Sequence, residues 1–455
     1  PYSAEFWGTA GDFTVNTTSG TWTFSEEWNG EDVYVFNQFA LGYTWPEQMW
    51  TSSIDDLLAT SPMNVHYFFS SFDATYTTDV NLIQNRVRAA IARLEDVTEQ
   101  DHWNSHIHFI SDQAWFAGGW ISEFFATTGG FFGFTIDRYQ RVREVGYPND
   151  LTNDGLYKLT FMGHQARYHN YEWERETAKE SESATVFNIF DHVVASDSGW
   201  TGDSSYGEIT LPSADTMDDY DTLTLDLTLD CIDLVDASCP AWDYLVYLYL
   251  CDLDNPDNCN TEIARWITPY GRPGQWTTDS SYILSLLSEG GTRRFRFYTV
   301  QEYVTTLDLR LSRQETGPTP EEAHFLWSGG TYNEEYNDAH SPIAVTLPDD
   351  VERVELVALI TGHGWGEEVA NCAEFCNHTH HFEVGGFTYS KEHPEAGTSY
   401  GCLEQIDIGT VPNQFGTWPF GRGGWCAGLD VTPFVVDITE AVTPGEENIF
   451  TYYSL

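Results

Sequence analysis

From residue 223 the sequence reads Leu-Thr-Leu-Asp-Leu-Thr-Leu, apolar and polar side chains alternating without a break to Leu229. Successive side chains of a β-strand point to opposite faces, so this stretch lays four leucines on one face of a sheet and could not gather them on one face of a helix. Leu245-Val-Tyr-Leu-Tyr-Leu250 and Arg294-Phe-Arg-Phe-Tyr298 repeat the alternation, and Gly, Pro and Asp turns separate the runs. From about residue 190 onward the chain therefore reads as all-β. A seam at Gln314-Glu-Thr-Gly-Pro-Thr-Pro320 divides it, so two antiparallel sandwiches side by side, 191–318 and 319–455, are the economical architecture.

The first 150 residues have another texture. Short apolar strands (Val33–Phe36, Val65–Phe69, Ile107–Ile110, Phe131–Ile136) alternate with helical patterns around Ser53–Ala59 and Val80–Leu94, which predicts an α/β layer fold with a mainly parallel sheet. Asp32–Phe36 followed by Trp45-Pro46 resembles the start of a thioredoxin-like domain, where a Cys-x-x-Cys pair would follow the first core strand. No cysteine stands there, so domain 1–150 is expected to pack or dock rather than to perform dithiol chemistry. Residues 151–190 are polar and poor in aliphatics, and read as a linking segment with one exposed helix.

A chain of 455 residues is long for one core and comfortable for two or three domains. Its formal charge is -50, and only Lys158, Lys179 and Lys391 are lysines, so a nucleic-acid partner would be repelled at every approach. Such a surface suits salty or acidic surroundings, where carboxylates are screened or protonated. The eight cysteines are all in the second half, at short spacings (231/239, 251/259, 372/376, 402/426) that read as local disulfides and imply an oxidising compartment. No apolar run approaches the ~20 residues of a membrane span. The sequence opens at Pro1 without a methionine, and the expectation is a mature exported protein, secreted or periplasmic.

Two short cysteine loops each carry an acid. In Cys231…Cys239-Pro-Ala-Trp-Asp243 the aspartate follows the loop and precedes an apolar strand; in Cys372-Ala-Glu374-Phe-Cys376 the glutamate lies inside it. A disulfide closing so few residues adds modest stability, and its better use is to hold a side chain rigid. Two fixed carboxylates beside Trp242 and Phe375 could divide into a base and an acid or an electrostatic clamp, as hydrolysis requires.

Residues from about 190 onward resemble the peptide-N-glycosidase F family, amidases that remove asparagine-linked glycans. The resemblance rests on Cys-Pro-Ala-Trp-Asp243, on Ile267-Thr-Pro-Tyr270 followed by Leu284-Ser-Leu-Leu-Ser288, on Ile360-Thr-Gly-His-Gly364, on Cys372-Ala-Glu-Phe-Cys376 and on Arg422-Gly-Gly-Trp-Cys426, in the family's order and roughly its spacing. It implies a pair of jelly rolls with the active site between them, and a peptide-N4-(N-acetyl-β-glucosaminyl)asparagine amidase that needs no cofactor. Asp243 matches the essential aspartate that activates water, Glu374 the second acid, and Arg422 a cleft arginine supporting both. Trp242 and Trp425 flank these positions and are expected to stack on sugar or shape the pocket. Together with nearest-neighbour spacing, the resemblance pairs Cys231–Cys239, Cys251–Cys259, Cys372–Cys376 and Cys402–Cys426.

Three positions depart from the family pattern. The third glutamate is met by Tyr298-Thr-Val-Gln-Glu302, so Glu302 substitutes after a local shift or the acid is missing. The tryptophan of a Gly-Trp-Gly is His363, with Trp365 two residues on, and the arginine after the aspartate is Tyr244. The family also continues beyond Tyr453-Ser-Leu455 by a strand or more.

Other chemistries compete. His378-x-His380-His381, with His363, could join Cys372 and Cys376 in a zinc set, but an exported chain would oxidise that pair. A copper monooxygenase also uses paired jelly rolls and a His-x-His motif; it generally needs a methionine ligand, and Met49, Met63, Met162 and Met217 all precede the second sandwich. Asp252-Leu-Asp254-Asn-Pro-Asp257 could hold calcium but lacks the glycine and final glutamate of an EF-hand loop. Asn16-Thr-Thr18 and Asn377-His-Thr379 are glycosylation sequons where the host has that machinery. A glycan-binding module without chemistry is the third class. The expectation taken forward is a monomeric amidase acting on N-glycosylated proteins or glycopeptides, with neither metal nor cofactor.

Overall fold

The computed structural model describes residues 2–148, 158–195, 202–315, 319–364 and 372–454. The chain divides into two compact units. The first comprises Pro1–Thr177, Asp233–Ser238 and Ile406–Thr417, and the second Ala178–Ile232, Cys239–Gln405 and Trp418–Leu455. The boundaries expected at 150 and 318 lie outside the described residues.

In the first unit a hairpin of β1 (Thr14–Thr17) and β2 (Gly20–Thr23) precedes a five-stranded sheet. The sheet contains β3 (Val33–Phe39), β4 (Val65–Ser71), β5 (Ile107–Phe109), β6 (Gly133–Ile136) and β7 (Val142–Glu144), in the order β5-β4-β3-β6-β7. Strands β3, β4 and β5 run parallel, and β6 and β7 add antiparallel on the other side of β3. All of β4 and nearly all of β3 is buried, as parallel strands covered on both faces require. Their side chains divide by alternation. Val33, Val35, Tyr67 and Phe69 face one core with Val80, Ile83 and Val87 of the helix Tyr76–Ile91, while Tyr34, Phe36, Phe68 and Phe134 face the other. Phe36 stacks between Phe68 and Phe134 with ring centroids 4.5 Å away on each side.

The segment expected as a linker is ordered where it is described. Thr160–Ser181 is a 22-residue helix, and the next strand already begins at Thr185. The helix is not exposed: Gln165, His169, Glu172 and Arg175 are buried. Arg143 donates to both oxygens of Glu172 (3.2 and 2.9 Å) and to Asp137 (3.3 Å), and the imidazole of His169 lies 2.7 Å from Glu172. Polar residues that pair with one another can go inside, so a stretch without aliphatics read as surface.

The second unit opens with eight antiparallel strands: β8 (Thr185–Ala195), β9 (Asp203–Ser213), β10 (Thr222–Asp230), β11 (Leu245–Leu250), β12 (Thr261–Ile267), β13 (Gly274–Asp279), β14 (Gly290–Thr299) and β15 (Tyr303–Ser312). They form two four-stranded sheets, β13-β10-β15-β8 and β12-β11-β14-β9. Chain neighbours fall in opposite sheets almost throughout, which is the two-Greek-key interleaving of a jelly roll. Leu223, Leu225, Leu227 and Leu229 of β10 are wholly buried between the sheets. On the outer face of β10, Asp226 pairs with Lys179 from the end of the long helix.

A second antiparallel assembly follows, with a sheet of β16 (Ile343–Thr346), β21 (Glu447–Ser454), β18 (His380–Val384) and β19 (Phe387–Lys391) and a ladder of β17 (Glu355–Ala358) with β20 (Phe434–Asp437). Val345, Leu356, Phe382, Val384, Phe450 and Tyr452 form its core. Backbone bonds stitch it to the jelly roll along β12: Ile267 N–H to Leu429 C=O (3.0 Å) and Val431 N–H to Arg265 C=O (2.9 Å). Arg265 also donates to Thr361 at 2.6 Å. Both β blocks thus belong to one unit. The four disulfides are Cys231–Cys239, Cys251–Cys259, Cys372–Cys376 and Cys402–Cys426, the expected pairing. Among the described residues, no helix is long and apolar enough to cross a membrane.

Candidate active site

Asp243 ends the loop that follows the Cys231–Cys239 disulfide and stands two residues before β11. The loop is fixed from below by Thr268, whose hydroxyl donates to the Trp242 carbonyl (2.7 Å) and accepts from the Tyr244 N–H (2.8 Å). Gly271 N–H holds the Pro240 carbonyl at 2.8 Å, and the side-chain oxygen of Gln301 accepts from Trp242 N–H at 3.3 Å. Trp242 itself is half exposed.

Glu374 sits inside the five-residue turn closed by Cys372–Cys376, with the N–H groups of Phe375 and Cys376 both returning to the Cys372 carbonyl (3.0 and 2.8 Å). Its own N–H donates to Gly364 C=O (3.1 Å), and its C=O accepts from Gly423 N–H (2.8 Å). Three chain segments therefore pass at backbone distance. A Cβ at Gly362 would stand 2.2 Å from the Ala373 carbonyl oxygen and one at Gly423 2.4 Å from it, so the glycines of the two motifs permit this approach.

Arg422 joins the two carboxylates. It is wholly buried, and its Nε donates to Glu374 at 3.1 Å, while a terminal nitrogen lies 3.5 Å from Asp243 and 3.5 Å from the Tyr270 hydroxyl. The other terminal nitrogen donates to Phe420 C=O (3.0 Å). Its guanidinium carbon lies 4.7 Å from the centre of the Trp425 ring and 5.4 Å from that of Phe375, so aromatic faces hold a delocalised cation where an ammonium would be poorly solvated. The Trp425 indole is anchored to Gly362 C=O at 2.6 Å. The carboxylate side chains of Asp243 and Glu374 each remain 14 % exposed, so both reach solvent.

Burial pushes the Asp243 carboxyl up to about 6, against the pull of Arg422 and of a hydrogen bond from Tyr270, and with a smaller push from the charge of Glu374. The site thus carries an aspartate that titrates near neutrality and, opposite it, a glutamate held on the same cation. Such a pair can take a proton from water on one side and steady developing charge on the other.

Of the remaining expected residues, His363 is exposed with its ring 4.8 Å from that of Trp425, and Trp365 lies outside the described residues. Glu302 is not brought in: it is exposed just before β15, and Gln301 is the residue whose side chain touches the Asp243 loop. Tyr270, Thr268 and Gln301 went unassigned from sequence, although Tyr270 closes one of the motifs. His378 and His380 are buried, with His378 3.8 Å from Cys372 Sγ and His380 bonded to the Tyr452 hydroxyl (2.8 Å). Cys372 and Cys376 are bonded to each other, which leaves no thiolate for a zinc set. Asp137, His169 and Glu172 also cluster within ligand distance, but Arg143, Thr135 and Gln165 occupy them. In the acidic loop, Asp257 pairs with Arg294 (3.1 Å) and Asp252 with Asn258.

Residues 331–454 match the family described as peptide-N-glycosidase F, C terminal. No curated protein matches the chain in sequence. Among solved structures it is similar to PNGase F, a glycosylasparaginase from Flavobacterium meningosepticum, at 20 % identity over 60 % of this chain and 89 % of that one, with a TM-score of 0.47. A peptide-N(4)-(N-acetyl-β-D-glucosaminyl)asparagine amidase matches at 20 % identity over the same shares with a TM-score of 0.46. PNGF-II matches at 12 % identity over 62 % of this chain and 64 % of that one, with a TM-score of 0.43.

Proposed function

We propose that this chain, whose residues 331–454 carry the C-terminal domain of the peptide-N-glycosidase F family, hydrolyses the side-chain amide of glycosylated asparagine in glycoproteins or glycopeptides. The observation that carries the reading is the clamp of Asp243 and Glu374 on the fully buried Arg422, open to solvent beside the exposed ring of Trp242. Asp243, ionised above about pH 6, takes a proton from water as its oxygen adds to the amide carbon. The carbon–nitrogen bond then breaks, the proton passes to the departing nitrogen, and the products are an aspartyl peptide and a glycosylamine. Glu374 and Arg422 position the water and the amide. Trp242, Phe375 and Trp425 shape the sugar side of the site, with His363 at its rim. No metal enters this scheme, since the buried guanidinium of Arg422 supplies the positive field.

The reading extends to an exported protein, for which the four disulfides speak, and to one that acts as a monomer. For the domain at 1–150 we propose a thioredoxin-like accessory fold. Its support is the parallel β3–β4 pair with β6 and β7 antiparallel beyond β3, and the stretch after β3 holds no cysteine. The test is incubation with a denatured N-glycoprotein, followed by mass spectrometry of the freed glycan and of the peptide. Intact glycan with aspartate in place of asparagine, unchanged by EDTA, is the expected result. Glycan still attached, or activity lost to EDTA and restored by copper or zinc, refutes it.

A further inference from the structure

A second pocket, of about 160 Å³, opens on the side of Trp425 formed by the second β block. Asp243, Tyr270, Glu374 and Arg422 do not line it; Trp425, whose ring also faces Arg422, is the shared wall. His393 is its most unusual member. The residue is 3 % exposed, yet neither ring nitrogen makes a hydrogen bond, and the carboxylate of Glu395 stands 3.7 Å from Nδ1. A buried imidazole with no hydrogen bond at either nitrogen is rare in a folded protein, and one that lines a cavity is placed for a ligand.

Gly424 keeps that imidazole within reach. With φ at +87°, a Cβ there would lie 2.9 Å from the His393 ring and 2.4 Å from the Ile360 carbonyl oxygen. Around His393 the wall offers further donors, Lys391 and the Gln405 amide, and acceptors, Asp430 and Glu395, set against apolar Ile360 and Trp425. Asp430 also accepts from Thr278 at 2.9 Å, and Gln405 donates to Gly401 C=O at 2.9 Å, which holds both side chains in place. An anion would want donors alone and a metal ion acceptors alone, and Lys391 opposes the latter. Hydroxyls both donate and accept, and the carbon–hydrogen face of a sugar ring suits an indole. The volume lies below the ~300–1,000 Å³ of sites for drug-sized ligands, so it suits one ring.

We propose that this pocket binds a single saccharide unit, as a second sugar subsite sharing the Trp425 wall with the candidate cleavage site. Only the source of that sugar, a substrate glycan, rests on the amidase reading. The test uses the full chain with labelled histidine and Asp243→Asn in place, titrated separately with N-acetylglucosamine, mannose, fucose and xylose. The His393 ring signal is assigned by its loss in His393→Gln. Expected is a saturable shift of that signal with at least one sugar at a Kd of ~1 mM, weakened about tenfold by Lys391→Ala and abolished by Gly424→Ala. No movement with any of the four sugars, or equal affinity in Lys391→Ala, overturns it. Should His393→Gln fail to fold, Lys391→Ala and Gln405→Ala, at partly exposed positions, decide the question by calorimetry with the same sugars. If the parent chain, with Asp243 intact, releases no glycan while the Asp243→Asn chain still shifts His393, the pocket stands and the amidase reading is lost; the reverse result loses only the pocket.

Discussion

Replacing Arg422 by methionine removes the one charge that holds Asp243 and Glu374 together while keeping an unbranched side chain between Trp425 and Phe375. A cation 3.5 Å from a carboxylate oxygen stabilises its charge by ~1 kcal/mol at the dielectric constant of water and by ~5 kcal/mol at an effective value of 20. Divided by 1.36 kcal/mol per unit, the loss raises the Asp243 pKa by ~1 to ~3.5 units. Asp243 already stands at about 6 because burial outweighs Arg422, so the variant carries it to about 7 or beyond. A general base must be ionised, so activity rises with pH through its pKa. The plot of kcat/KM against pH for glycan release from a glycopeptide should have its acid limb near 6 in the parent, and at least about one unit higher in Arg422→Met. The loss is then greatest below pH 6 and narrows as pH rises, which distinguishes it from a folding defect. A limb that stays in place, or a loss of the same size at every pH, would refute the role given to both residues.

Asp243→Asn removes the base without removing volume, so turnover should vanish while glycopeptide binding by calorimetry persists; near-parent kcat would dismiss Asp243 from the mechanism. Glu374→Gln should cost ~10²-fold or more in kcat/KM, and an unchanged rate would make it an ordinary loop acid. Opening Cys402–Cys426 by a double Cys→Ala change should lower stability by ~3 kcal/mol, against ~2 kcal/mol for Cys372–Cys376, because the closed loops span 24 and 4 residues; denaturant midpoints in the reverse order would count against this. In the first unit, His66 stacks on His106 (4.3 Å) and meets His108 at 3.0 Å. Burial and then the charges of His66 and His106 hold His108 down to about 3. An unfolded imidazole titrates near 6.5, so the unfolded chain takes this proton first as pH falls. Stability contributed by neutral His108 is complete above that value and shrinks by ~2 kcal/mol between pH 7 and 5. His108→Gln should flatten this slope in urea titrations, and an equal slope would rule the account out.

Much of the fold was written in periodicity. The stretches 223–229, 245–250 and 294–298 lie within β10, β11 and β14, because alternation dictates a strand with one buried face whatever its neighbours are. The burial of the helix Thr160–Ser181 escaped for the opposite reason: its buried face is made of polar groups that neutralise one another, and hydropathy sees the groups but not the pairing. Glu302 shows how fine the limit is. Tyr303 is wholly buried at the start of β15 and Glu302 beside it faces out, so a one-residue difference decides which acid or amide reaches a site.

By itself the sequence determined the strand texture, the paired cysteines and the acids they frame, since each depends on spacing along the chain. That Asp243 meets a guanidinium 179 residues away, that Tyr270 bonds to that aspartate, and that His393 lies behind Trp425 with no hydrogen bond at either ring nitrogen were decided only by tertiary structure. Burial raises the Asp243 pKa and aromatic faces hold Arg422, and both are effects of surroundings assembled from distant segments. A side chain's chemistry is local, but the dielectric and the partners that tune it arrive only when the two β blocks close on each other along β12.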